Sequence, residues 1–147
     1  MLTPVLILFL AAALAPLLHR AFGRRAGVLL AAAPALLFAH FARFLEPSAS
    51  GQAFEESWPW VAGLGIRLAF RLDGLSLLFA LLVTGIGALV LVYGGGYLKG
   101  DPRLPRFYAS ILFFMAAMLG LVLADDAIAL FVFWELTSVS SYLLIGF

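Results

Sequence analysis

The chain has 147 residues, of which 65% are hydrophobic and 12% are charged, with a formal net charge of +1 and no cysteine. A soluble domain carries about 25% charged residues, so this composition is that of a membrane protein. Without cysteine there is no disulfide framework, thiolate metal site or iron–sulfur cluster, two histidines make no metal site alone, and so small a net charge leaves no electrostatic footprint for nucleic acid.

Five apolar runs are expected as membrane helices, each of 18 to 24 residues: Thr3–Phe22, Ala26–Leu45, Leu75–Leu98, Phe107–Ala124 and Ala127–Phe147. The first has its basic cluster, Arg20, Arg24 and Arg25, after the apolar stretch rather than before it, so it reads as a membrane helix and not as a signal peptide. Pro4 suits a first turn, whereas Pro16 is expected to kink the helix. His40, in the second run, is a candidate proton relay, with an ordinary hydrogen-bonding role as the alternative.

The segment from Glu46 to Gly74 opens with an irregular Pro/Ser/Gly stretch, Pro47–Gln52. Ile66, Leu68, Phe70 and Leu72 then alternate with Arg67, Ala69, Arg71 and Asp73. Period-two alternation after a glycine-containing turn predicts a β-hairpin over Trp58–Leu72, turning near Gly63–Gly65. Trp58 and Trp60 suit the headgroup region. Asp73 is expected to cap the third membrane helix, with Ser76 close behind. Gly94-Gly95-Gly96 marks that helix's end, and Gly85 and Gly87 allow close helix approach. No lysine–serine pair or strand context supports a phosphate-binding loop.

Charge placement orients the chain. Six of the nine Lys and Arg residues, Arg20, Arg24, Arg25, Lys99, Arg103 and Arg106, fall in two short connections on one side. The positive-inside rule puts these in the cytoplasm, with the N-terminus and the hairpin outside and Phe147 inside.

The last run carries the residue of greatest interest. Glu135 is its only formally charged residue and lies eight positions after Ala127. At 1.5 Å per residue that is roughly 12 Å down a helix, near the bilayer midplane. A carboxylate there costs at least ~2.5–3.5 kcal/mol and needs a partner or a proton, so such residues mark ion and proton paths. The alternative is a protonated glutamate that only joins helices. Ser138, Val139 and Tyr142 share its helical face, so Ser138 and Tyr142 are candidate hydrogen-bonding neighbours. Thr137, Ser140 and Ser141 add hydroxyls that can instead bond back to their own helix. Asp125 and Asp126 precede this helix, where capping is the default role and an ion-entry role the second.

Three segments, Phe70–Phe79 (FRLDGLSLLF), Gly96–Tyr108 (GYLKGDPRLPRFY) and Phe133–Phe147 (FWELTSVSSYLLIGF), resemble the antiporter-like membrane subunits of respiratory complex I and of Mrp-type cation/proton antiporters. The FWELTS form is similar to the large A-type subunit of the Mrp antiporter. The likeness runs from about Trp58 to Phe147, and the first two helices fit the family's opening without specific motifs. It implies an all-α integral membrane fold, here the first part of a fourteen-helix core. In that reading residues 1–57 hold two helices and an outer loop, 58–74 an outer hairpin, and 75–147 three further helices beginning the proton-translocating domain. Glu135 would match the family's ion-pairing glutamate, whose lysine partner belongs to a later helix. Asp126 stands where relatives often have asparagine.

The function implied is a part in monovalent cation (Na+)/proton antiport, in the plasma membrane, with other membrane subunits, lipid, protons and Na+ as partners, no cofactor and no enzymatic activity. A proton-pumping, chain-5-type subunit of NADH–quinone oxidoreductase is the first alternative, and a non-transporting structural or assembly subunit the second. The chain is expected to be an N-terminal fragment or one piece of a split subunit.

Overall fold

The computed structural model describes residues 1–147 except Ala62 and Leu64. It contains five long helices and one small sheet. Helix α1 spans Leu2–Phe22 and runs on through Pro16. A short 3-10 turn, Gly23–Arg25, leads into α2, Ala26–Ala42. Among the described residues four helices are long and apolar enough to cross a membrane, namely α1 and the three described below from Gly74 onward; α2, with 17 residues, is shorter.

The stretch after α2 is more regular than its composition implies. Leu45–Ala49 forms one helical turn, α3. Pro47 falls in its first turn, where a fixed φ and a missing N–H do no harm. The turn ends at Gly51, whose φ of 84° is one that glycine adopts without strain.

Strands β1, Phe54–Val61, and β2, Ile66–Leu72, then form an antiparallel pair. Pairing begins at Phe54↔Leu72, four residues before the expected start, and the alternation extends with it: Phe54 and Glu56 are half-buried and Glu55 between them is exposed. The ladder is interrupted between Pro59 and Val61, which leaves Trp60 as an extra residue. Proline is tolerated at such a bulge and on an edge strand. The expected turn near Gly63–Gly65 includes Leu64, which lies outside the described residues. The alternation in β2 is expressed as burial: Phe70 and Leu72 are fully buried and Arg67 and Arg71 are exposed.

Asp73 starts α4, Gly74–Tyr97, with a reciprocal cap. Its carboxylate accepts from the Leu75 and Ser76 N–H groups, while Ser76 Oγ accepts from the Asp73 N–H at 2.7 Å. The three glycines at 94–96 lie in its last turn. Helix α5 spans Leu104–Leu123, with Pro105 in its first turn, and α6 spans Ala127–Ile145.

The helices alternate in direction. One end of the bundle holds Met1, the hairpin, Asp73 and the α5–α6 connection, the Met1 amine meeting Glu56 of β1. The other end holds Gly23–Arg25, the α4–α5 connection and Phe147, whose carbonyl accepts from Arg103 Nη1 at 2.5 Å. Helix α5 is central, packing on α1, α4 and α6, and α2 lies between α1 and α4. Tyr108, Leu112, Met115, Ala116, Leu119 and Leu123 of α5 are all buried.

Lipid is as apolar as leucine, so helix association within it depends on close van der Waals fit rather than on hydrophobic burial. Small residues supply that fit here. Gly85 faces Phe38 of α2, and Gly87 faces Met115 of α5. The Tyr108 hydroxyl sits where a Cβ on Gly27 would meet it at 2.5 Å and one on Gly95 at 2.6 Å, so one phenol spaces α2 and α4. Gly120 of α5 receives the Phe133 ring of α6.

Phe133 is held on its other side by Phe70, with ring centroids 6.0 Å apart. It cannot retreat from an added methyl group, so Gly120→Ala is expected to destabilise the folded chain by about 1–3 kcal/mol. Gly96 has open space around its missing Cβ. Gly96→Ala should therefore leave stability unchanged or raise it slightly. Thermal denaturation of the two variants in detergent checks the contrast; equal melting temperatures would contradict the packing.

Candidate functional site

Helix α6 begins at Asp126, whose extended backbone and carboxylate form the N-cap. Its Oδ1 accepts from the N–H groups of Ile128 at 2.9 Å and Ala129 at 2.8 Å. Those donors have no partner inside the helix, and an anion beside the helix N-terminus also meets a favourable dipole.

From this start the helix presents two opposed stripes. Ala129, Phe133 and Ser140 are buried, at a spacing of four and then seven residues, and face α5 and β2. Ile128, Phe131, Glu135, Ser138, Val139 and Tyr142 are exposed. Glu135 follows Phe133 by two residues, about 200° around the axis, so its side chain points away from the bundle. Within this chain Glu135 is therefore exposed. The physical reason is Phe133: once the large aromatic residue takes the place against Gly120, the carboxylate must take the opposite side. Among the described residues nothing forms a hydrogen bond or ion pair with Glu135.

The exposed stripe does bring Glu135, Ser138 and Tyr142 to one face. The hydroxyls of the neighbouring serines and threonine are already engaged, however. Thr137 and Ser138 both donate to the Trp134 carbonyl, at 2.6 and 3.2 Å, Ser140 to Thr137 and Ser141 to Ser138. Each keeps the bond to its own helix that membrane serines and threonines commonly form.

Two open cavities lie beside Trp134 of this helix. One, of about 370 Å³, lies at the hairpin end and includes Arg71, Asp73, Ser76, Asp125 and Trp134 in its wall. The other, of about 260 Å³, runs along α6 past Trp134, Thr137, Ser138 and Ser141. Trp134 and Leu121 line both. Asp125 thus stands at the rim, while Asp126 is committed to backbone N–H groups. His40 is elsewhere: it is on α2, edge-on to Phe41 and Phe44 at 5.6 and 5.5 Å. The structure does not bring it to the Glu135 stripe, because α2 packs on α1 and α4.

Arg71 is the rim residue that sequence reasoning passed over. It lies 3.4 Å from Glu55 across the strand pair and 3.7 Å from Asp73. The signal available was its place on the charged side of β2. Ser76 and Leu75 N–H groups, and more weakly Arg71, hold the Asp73 carboxyl below the usual carboxylate range.

Residues 58–108 match the family model described as NADH-ubiquinone oxidoreductase (complex I), chain 5 N-terminus. The A-type subunit of the Na(+)/H(+) antiporter of Alkalihalophilus pseudofirmus is 48% identical over 142 residues, covering 95% of this chain and 18% of that protein. The solved Mrp complex from Dietzia sp. superposes with a TM-score of 0.82 at 38% identity, covering 97% of this chain and 15% of the matched one. The chain resembles the antiporter-like membrane subunits of the Mrp and complex I family. A chain of the archaeal membrane-bound sulfane sulfur reductase shares the fold, with a TM-score of 0.77 at 21% identity. The present chain spans less than a fifth of the length of its Alkalihalophilus relative, 18%.

Asp73 allows a test at the cavity rim. A depressed folded pKa means that the carboxylate stabilises the fold fully above its unfolded value, near pH 3.9, and that this contribution fades as pH falls through the lower folded value. Asp73→Ala should cost about 1 kcal/mol at neutral pH, and Asp73→Asn only a fraction of that, since both Asp and Asn cap well. The gap between wild type and Asp73→Ala should be constant from about pH 7 to pH 5 and narrow only in stronger acid. Melting curves across pH check this; a gap that closes near neutrality would contradict the assignment.

Proposed function

We propose that this chain works as part of a monovalent cation/proton antiporter, and that Glu135 carries ions or protons in the assembled complex. The observation that supports this most directly is the open carboxylate stripe of α6. A charged group facing hydrocarbon costs at least ~2.5–3.5 kcal/mol, so the stripe requires protein, water or a cation against it. The relatives are several times longer, and the part of them that this chain does not match suggests a natural cover. In that setting Glu135 is buried and meets a cationic partner.

The finer architecture follows the same reading: five crossings including α2, an outside N-terminus, an extracytoplasmic hairpin and a fourteen-helix core completed by later helices. The division into 1–57, 58–74 and 75–147 belongs to it too. Ser138 and Tyr142 would line the carboxylate's surroundings, and Asp125, at the outer cavity, the approach to them. Sodium is the cation proposed, because the Alkalihalophilus relative is named for Na(+)/H(+) antiport. The chain works within a transporter, beside other membrane subunits, and not as an enzyme. The family model's description also favours a second reading, a proton-pumping part of a complex-I-type assembly, in which the same glutamate would serve.

Orientation is open to direct test. Cysteine at Ser50 should be labelled by an impermeant thiol reagent from outside, and cysteine at Pro102 only after permeabilisation. Both positions are exposed and neither replacement alters a charge. The reverse pattern would move the hairpin to the cytoplasm.

The functional test is Glu135→Gln, which keeps size and hydrogen bonding but removes the titratable proton. In the complete complex it should abolish pH-gradient-driven cation exchange in membrane vesicles, normalised to assembled protein. Glu135→Asp should keep part of the activity. A purely structural glutamate predicts the opposite order, and near-normal exchange with Gln would overturn the proposal.

A further inference from the structure

Asp126 does more than a cap requires. Serine, asparagine and aspartate cap helices almost equally, each with a single oxygen. Here one oxygen, Oδ1, serves the two N–H groups of α6, and the other, Oδ2, accepts from the Ala69 N–H of β2 at 2.8 Å. The Ala69 carbonyl accepts in turn from the Asp125 N–H at 2.8 Å. Ala69 is thus bracketed by the two residues that start α6, and its neighbour Phe70 pairs with Ala124 and packs on Phe133.

Three donors converge on one side chain, and only an ionised carboxylate offers an acceptor to each element at once. A carboxamide that kept the cap would turn its NH2 group toward the Ala69 N–H. A serine hydroxyl would keep the cap and fall short of the strand. Glu135 lies nine residues below Asp126 on one unbroken helix, so a shift at the top is passed on to the carboxylate undiminished.

We propose that Asp126 is a positioning residue, whose carboxylate pins the top of α6 to β2 and so sets the depth of Glu135 along the helix axis. The pin rests on the reading of Glu135 as the ion-carrying group. It makes the hairpin part of the transport machinery through its hold on the start of α6 rather than through any contact with the ion.

The test separates capping from pinning. In the complete complex, Asp126→Ser keeps the cap and loses the link to Ala69, whereas Asp126→Ala loses both. Ala69→Pro removes the same link from the strand side and leaves the cap intact. With assembled protein equal, Asp126→Ser should lower the maximal exchange rate about tenfold, the size of effect that follows displacement of a working group by a fraction of an ångström. The half-saturating cation concentration should change much less. Ala69→Pro should give a similar loss, and the double variant no more than the larger single loss, because both break one bond. Hydrogen exchange at the Ala69 amide should accelerate in Asp126→Ser and not in Glu135→Gln.

Wild-type exchange in Asp126→Ser, with Asp126→Ala impaired and Glu135→Gln inactive, would overturn the pin and leave a simple cap. An Ala69 amide that stays protected in Asp126→Ser would do the same. Near-normal transport by Glu135→Gln would instead remove the reading of Glu135 and the pin's purpose with it.

Discussion

Phe133 rests in the notch left by Gly120, and that contact fixes the rotation of α6. A helix has only one angular freedom once its axis is placed, so a single large residue against a single missing side chain decides where every other position points. With Phe133 inward, Ala129 and Ser140 follow it and Glu135 is carried to the open side. The hairpin closes the same contact from above, since Phe70 covers the Phe133 ring. The hairpin and the helix bundle thus share this aromatic pair.

Two kinds of force hold the two ends. Within the lipid-facing bundle there is little hydrophobic gain on association, and shape must provide the attraction. Gly27, Gly95 and Tyr108 show how: two glycines let one phenol bring three helices together. At the hairpin end water is the competing environment, so fully burying Phe70 or Leu72 is worth about 1.5–3 kcal/mol each. There polar groups also find partners: Asp73 with Leu75 and Ser76, Asp126 with Ala69 and the first turn of α6.

Much of this was legible in the sequence, and for reasons that can be stated. The apolar runs located the long helices because length and polarity are local properties. The alternation Ile66, Leu68, Phe70, Leu72 announced β2 for the same reason, and Asp73 with Ser76 announced a cap. What was not legible depended on partners distant in the chain. The start of β1 at Phe54 required knowing which residues lie opposite Arg71 and Leu72. The outward direction of Glu135 required knowing that Phe133 wins the place against α5. The double duty of Asp126 required a strand 57 residues earlier to arrive beside it. The regular turn through Pro47 was hidden by composition, since proline breaks a helix in its middle and not in its first turn.

The serine-rich half of α6 has a mechanical meaning. Trp134, Thr137 and Ser138 each give their carbonyl to a side-chain hydroxyl as well as to the backbone ladder. Sharing an acceptor weakens both bonds and lets a helix bend. The segment above Trp134, braced by Phe133 and the hairpin, has no such sharing among the described residues. The helix is thus stiff above the carboxylate and compliant below it, a rod with its joint at the level of Glu135.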